Sequence, residues 1–487
     1  MVVAIFGLAL TNTWNAILLF TVYLSLEGMY KYTSNFSQFV YIVAPLLSAT
    51  IFVAWGIRTR SEAERKEANQ GKADLPAKNS LFQNQSGKDE IGLPKLAPLV
   101  FALIALSFLQ AANPDSPGIV NSLNGAIVWY IGPLSFFFIT YYTLRHRTEA
   151  MGFIYTMVVT GFIVSAYAVI QFYLGKAWVD SHVPGMQNMA SMSYALIGGV
   201  GPAEEGAYRP ASTAPIAGGY VVASSLSMLA ALCVATIPRM AVWRRTAALL
   251  STTVLAMALA VSSVRLVALS LLVAIPVLLS LSARRFEDTI RIYFMIFTLG
   301  ALLTTSFVVA DITANGKLSR RYGSVFTSNP LSSYGKNRGG SLSYVPRAIA
   351  IRPFGIGIRR GTRGSADMIR GKDVGILNDR ETQWNSIHAD LGVFGLLSLA
   401  AFFIGTLTYG LRICRTLPDR NLRSVAVLMY VIILFDVILS FGSPILQANY
   451  IFWSACGVLF ALPRLAAEER KILMQSTVTS NLDSKVS

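Results

Sequence analysis

Charge is scarce in this chain: 14% of its 487 residues are Asp, Glu, Lys or Arg, while 54% are hydrophobic. A soluble core of this size would be more polar, so the composition places the chain among polytopic membrane proteins. Acidic residues are scarcer than basic ones, 25 against 41. The basic excess alone could suggest nucleic acid, but no basic helix, zinc-ligand spacing or aromatic-basic module accompanies it, which argues against nucleic acid as a partner. Cysteine is nearly absent. Cys233, Cys414 and Cys456 lie in or beside apolar runs without metal or redox spacing, and read as reduced packing residues. The opening residues Met1-Val2-Val3-Ala4-Ile5-Phe6 lack a basic n-region and a small-residue cleavage site, so the first run is expected to stay as a membrane helix.

What the chain has in abundance is apolar runs. A bilayer core of about 30 Å takes about 20 helical residues, and about twelve such runs can be traced, an all-α polytopic membrane fold. Residues 1–57 hold two spans, and 58–95 form a polar linker whose composition cannot bury a core. Seven spans fill 96–310, interrupted by a polar loop at 175–212; a large polar loop covers 311–390, three spans follow to 463, and 464–487 is a tail, polar and expected to be disordered from 472. Residues 246–282 are almost continuously apolar, and one helix of that length would run to about 55 Å, so they must form a hairpin. Ser262-Ser263-Val264-Arg265 is the expected turn because it holds the sole charge of the run.

Basic clusters at Arg58/Arg60, Arg145/Arg147, Arg244/Arg245, Arg284/Arg285, Arg412/Arg415 and Arg464 each end an even-numbered span. The positive-inside bias then puts both termini in the cytoplasm, and both polar loops and the Arg265 turn on the opposite face.

The 311–390 loop runs against that bias, since Lys and Arg far outnumber Asp and Glu in it. Two readings fit: Arg residues paired with anionic lipid head groups, or several Arg converging on an anionic substrate, for which the planar guanidinium fork suits phosphate. Arg338-Gly339-Gly340 and Arg352-Pro353-Phe354-Gly355-Ile356-Gly357 are glycine-rich, fitting either plain turns or close backbone approach to a ligand. If residues 381–392 are helical and continue into the next span, Glu381, Asn385 and His388 share one face. His388 is then either an interfacial histidine bonded to backbone or a catalytic base. Asp436 is the main charge near a span centre; it either pairs with another buried polar group or marks a transport site.

The Pro-Phe-Gly-x-Gly segment at 353–357, the closing Asp390-Leu391-Gly392-Val393-Phe394-Gly395-Leu396 and the series of spans around one long late loop resemble the bacterial O-antigen ligase and Wzy-type polysaccharide polymerase superfamily. Shorter matches are Glu27-Gly28 with Lys31, Arg209-Pro210 through Pro215, Ser263-Val264-Arg265, and Arg338 upstream of Pro353. The resemblance covers nearly the whole chain by topology, through short and degenerate motifs. It implies a metal-independent, C-type membrane glycosyltransferase without a cofactor, acting at the periplasmic face of the inner membrane. The implied donor is a sugar chain on undecaprenyl pyrophosphate, and the acceptor a second lipid-linked repeat or lipid A-core; a chain-length regulator is a further implied partner.

Arg265, Arg338 and Arg209 would grip the pyrophosphate, and Pro353, Gly355 and Gly357 would shape the loop. Ligases of this kind carry a histidine eleven residues before the first Gly of the closing motif, where this chain has Glu381. That departure favours a polymerase, with Glu381 as base or acceptor-binding carboxylate and His388 second. Arg265 also fits a hairpin-tip arginine snorkelling to head groups, and Glu27 an interfacial charge. A ligase is the alternative within the same chemistry, and a secondary transporter the alternative from another class.

Overall fold

The computed structural model describes residues 1–33, 38–73, 92–116, 118–183, 196–197, 207–214, 219–237, 240–262, 264–283, 286–327, 340–358, 382–444, 446 and 449–486. Among these the protein is mostly helical, with turns and irregular connections and two strands, β1 (Leu196–Ile197) and β2 (Ala207–Tyr208), which pair antiparallel. Seven helices are long and apolar enough to cross a membrane, the first running from Ile119 to Thr143 and the last from Tyr450 to Lys471. Shorter apolar helices stand beside them, among them Ala97–Ala111, Val221–Thr236 and Phe297–Thr313.

The helices differ from simple apolar runs where the backbone breaks. The first run divides at Asn12 into α1 (Val2–Thr11) and α2 (Thr13–Thr33), which pack on each other. Helix α3 (Gln38–Ala73) carries on through Arg58 and Arg60, so residues 58–73 are helix rather than loose linker. Their sequence, rich in Glu, Ala, Lys, Arg and Gln, favours helix once a span has nucleated it. Helices α4 (Ala97–Ala111) and α5 (Ile119–Ala126) form a turn, and α5 leads through a π-helical turn (Ile127–Ile131) into α6 (Gly132–Thr143). Helix α7 (Arg147–His182) is broken at Gly175. The apolar run 246–282 divides at its one charge: α9 (Val242–Ser262) ends and α10 (Arg265–Ser282) begins, with α8 (Val221–Thr236) packed beside both.

Residues 311–390, expected as one loop, contain the end of α11 (Phe286–Thr313), α12 (Lys317–Thr327), α13 (Gly340–Ile351) and the start of α14 (Gln383–Thr416). Helices α15 (Arg420–Leu439) and α16 (Tyr450–Val486) complete the bundle, and α16 extends through residues expected to be a disordered tail.

Side-chain contacts sort the helix termini into two ends. At one end, Trp14 Nε1 donates to the Glu149 carbonyl at 3.1 Å and Arg58 to that of Thr11 at 3.0 Å. There too, Arg423 donates to Leu281 at 2.8 Å, Arg464 to Tyr141 and Leu144 at 2.8 Å, and Arg147 lies 3.8 Å from Asp419. This basic end gathers most of the arginine clusters that close the even-numbered runs. The other end holds the α4–α5 turn, residues 207–214, the α9–α10 turn, α12, residues 352–358, the start of α14 and the α15–α16 turn.

Candidate functional site

Two stretches of irregular chain shape this second end, the first buried over residues 210–213 and the second over 355–358. The first strap, residues 209–214, runs as Arg-Pro-Ala-Ser-Thr-Ala, with Ala211, Ser212 and Thr213 almost fully buried. Backbone polar groups removed from water need partners, and here side chains supply them in both directions between strap and helices. The Ser212 amide donates to Gln171 Oε1 at 2.8 Å and its hydroxyl to the Val164 carbonyl at 2.6 Å, both on α7. Thr213 Oγ1 donates to the Ser25 carbonyl on α2 at 2.5 Å. Gly28 faces the same strap, and a Cβ there would overlap the Thr213 carbonyl. Glu27 and Lys31, one helical turn apart, form a 3.1 Å ion pair on the same helix.

Arg209 begins this strap and donates Nε to the Ser262 carbonyl at 2.7 Å, in the last turn of α9. Tyr220 reaches the Ala258 carbonyl at 2.8 Å, and Tyr322 on α12 approaches that of Leu259 at 3.3 Å. Carbonyls in the last two turns of α9 are thus met by side chains from three other segments. Arg265 is the first residue of α10 and half-buried, three positions after Ser262. The structure therefore brings Arg209 and Arg265 to one corner. Arg209 has a structural duty there, its Nε closing the Ser262 carbonyl.

The second strap, residues 352–358, lies on the break in α14. Gly392 interrupts that helix with φ 68° and ψ −165°, so residues 383–391 form a helical segment separate from the long apolar part. The continuous helix expected from 381 through 392 is corrected accordingly: Thr382 is the N-cap, and the helical face starts at Gln383. Two backbone hydrogen bonds join strap and break, Ile356 N to Ala389 O and Val393 N to Pro353 O, each 2.8 Å. A Cβ on Gly355 would stand 2.7 Å from the carbonyls of His388 and Ala389; one on Gly392 would stand 2.7 Å from that of Pro353. Both residues also have positive φ. The two glycines permit each other's approach, so these glycines meet protein backbone where the sequence suggested a plain turn or a ligand. Gly357, also at positive φ, packs against Asn113 and Ser116 of the α4–α5 turn. Gln110 donates to the Phe354 carbonyl at 2.8 Å, and Arg352 pairs with Asp115 at 2.8 Å.

His388 sits under this strap, 1% exposed, beside the backbone of Arg352. Its buried Nε2 has no hydrogen-bond partner of good geometry among the described residues. That placement matches a histidine packed on backbone; it does not reach solvent. Glu381 and Arg338, the candidates weighted most heavily in the large loop, lie outside the described residues, as do Ser263 and Pro215.

Asp390 and Tyr130, which sequence reasoning did not single out as site residues, lie at the centre of this end. Tyr130 Oη donates to Asp390 Oδ2 at 2.6 Å, both residues being buried. Asp436 is fully buried on α15, with Asn449 Nδ2 at 3.4 Å from Oδ2, which is the polar pairing one of its two readings required. Among the described residues no cluster of three or more His, Cys, Asp or Glu could hold a metal ion.

No family model matches the chain, and a search of curated proteins finds no relative.

Proposed function

We propose that this protein is a membrane glycosyltransferase that joins oligosaccharide repeats carried on undecaprenyl pyrophosphate, forming O-antigen or exopolysaccharide at the periplasmic face of a bacterial inner membrane. The observation that carries this reading is the interlock of Pro353–Gly357 with residues 388–393. These are the two motifs on which the resemblance chiefly rests, and they are in backbone contact through paired glycines. The meeting of Arg209 with the α9–α10 corner at the same end of the bundle adds to it.

Departure of a pyrophosphate lipid develops negative charge, which arginines fixed away from bulk water stabilise. Arg265, Arg338 and Arg209 have that role. The acceptor hydroxyl needs a base, and Glu381 takes it. His388 comes second, because in the described state the strap covers it. In this reading the basic end of the bundle faces the cytoplasm, where the positive-inside bias puts it. The reaction needs no cofactor or metal.

The test is polymer formation by Arg338→Ala and Glu381→Ala in a strain lacking the chromosomal gene. Both variants are expected in the membrane at normal level with single repeats accumulating on the carrier. Long polymer persisting in both overturns the assignment, and long chains stranded on the carrier lipid would mean a ligase.

A further inference from the structure

We infer that the Tyr130–Asp390 hydrogen bond is a positioning contact: it sets the placement of the helical segment 383–391 against the bundle, and with it the residues flanking that segment. Its effect on turnover rests on the polymerase reading above, whereas the placement itself does not.

Segment 383–391 is mechanically separate from the helix that follows it. Gly392 breaks the run of helical hydrogen bonds, so the position of the segment is not dictated by the long apolar part of α14. Its outer end is held by Gln383, whose amide donates to the Ser440 carbonyl at 2.9 Å and whose Oε1 accepts from the Leu446 amide at 2.9 Å. Its inner end is held by the strap through Ile356 N to Ala389 O. Both attachments are to turns, which are themselves the less regular parts of the fold. Asp390 instead reaches a transmembrane helix.

The partner residue has an unusual backbone. Tyr130 lies in the π-helical turn Ile127–Ile131, within the span Ile119–Thr143. A π-turn is rarer and less favourable than continuous α-helix, and it rotates the residues that follow relative to those before. The next residue but one, Gly132, would bring a Cβ 2.8 Å from Tyr450 Oη, so this turn is packed tightly on both sides. A phenol donating to a carboxyl oxygen at 2.6 Å is a short, directional bond. With both groups buried, it fixes distance and angle between the span and the segment 260 positions away.

The experiment uses the full-length protein in detergent, with Ser386→Cys as reporter and Thr406→Cys as control. Both positions are almost fully buried, one on each side of Gly392, and the native cysteines are buried too. Maleimide labelling is timed in the parent, in Tyr130→Phe, in Asp390→Ala and in the double variant. Tyr130→Phe is expected to speed labelling at position 386 about tenfold while leaving 406 protected, the size expected for losing one buried hydrogen bond. The double variant should label no faster than Asp390→Ala alone, because the two changes remove one interaction. Unchanged labelling at 386, equal acceleration at 386 and 406, or additive effects would each overturn the inference. In a parallel polymer assay, Tyr130→Phe is expected to lower turnover with the half-saturating repeat concentration unchanged. If the parent makes no polymer, the polymerase reading falls and the labelling result still decides the positioning role.

Discussion

The two ends of the bundle hold their backbone together by different means. At the basic end helices stop regularly, and arginines close them: Arg464, Arg423 and Arg58 each donate to carbonyls of another segment. Cationic side chains at helix C-termini satisfy open carbonyls and oppose the helix dipole. At the other end irregular chain enters the bundle, at 209–214 and 352–358, and glycine makes the approach possible. Arg209 is the exception that joins the two schemes, since it closes α9 as Arg464 closes α6. The lesson is that an arginine cluster at a span end has a structural use wherever the helices are regular. A functional reading is stronger where the backbone is not.

The largest effect expected from this contrast is at the glycine interlock. Gly392→Ala places a Cβ 2.7 Å from the Pro353 carbonyl at a φ of 68°. Left-handed strain and overpacking together cost about 3 kcal/mol or more. The variant should show a clear drop in unfolding temperature, and the strap should become open to proteolysis. If Gly392→Ala were as stable as the parent, the interlock would not hold this end together and the comparison would fail.

Some of this was legible in sequence. The hairpin turn at 262–265 is marked by its one charge, and the 353–357 and 390–396 motifs stand out by composition. Breaks inside apolar runs are not marked. Gly392 breaks the helix with little change in hydropathy, and the polar passage Thr11-Asn12-Thr13 is too short to end a run, so counting runs of apolar residues overstates the length of continuous helix. Nothing in Ile127-Val128-Trp129-Tyr130-Ile131 signals a π-turn. The strap 209–214 was placed before a span that begins several residues later. Its burial depends on Gln171 and Val164, which are remote in sequence. Asp390 was visible only as part of a motif; its partner Tyr130 had no signal of its own.

The next effect sets one arginine from each end side by side. Arg464 donates to two carbonyls and its side chain is 16% exposed, so Arg464→Ala should cost about 2 kcal/mol of stability. The polymer made per folded molecule should be unchanged. Arg209→Ala also gives up a carbonyl bond, the one to Ser262, but on the proposed chemistry it removes polymer as well. Thermal unfolding of the purified variants and polymer per unit of membrane protein separate the two. Matching losses in both readouts for both variants would mean that Arg209 is only a helix cap.

The smallest effect expected is at the Arg352–Asp115 pair, which looks like the tie that holds the second strap to the α4–α5 turn. The pair is short, at 2.8 Å, but its side chains are 52% and 36% exposed. Pairs that face water gain little, because solvent screens the attraction and two long side chains must be ordered; about 1 kcal/mol or less is the usual yield. Arg352→Ala and Asp115→Ala should therefore shift the unfolding temperature only slightly. The shift should fade in molar salt, where the screening length is about 3 Å. The backbone bonds from Ile356 and Val393, and the Gln110 donor on Phe354, remain in both variants. If either substitution instead matched Gly392→Ala in cost, charge rather than close backbone packing would be holding the strap. The two ends of the bundle would then be built on the same principle.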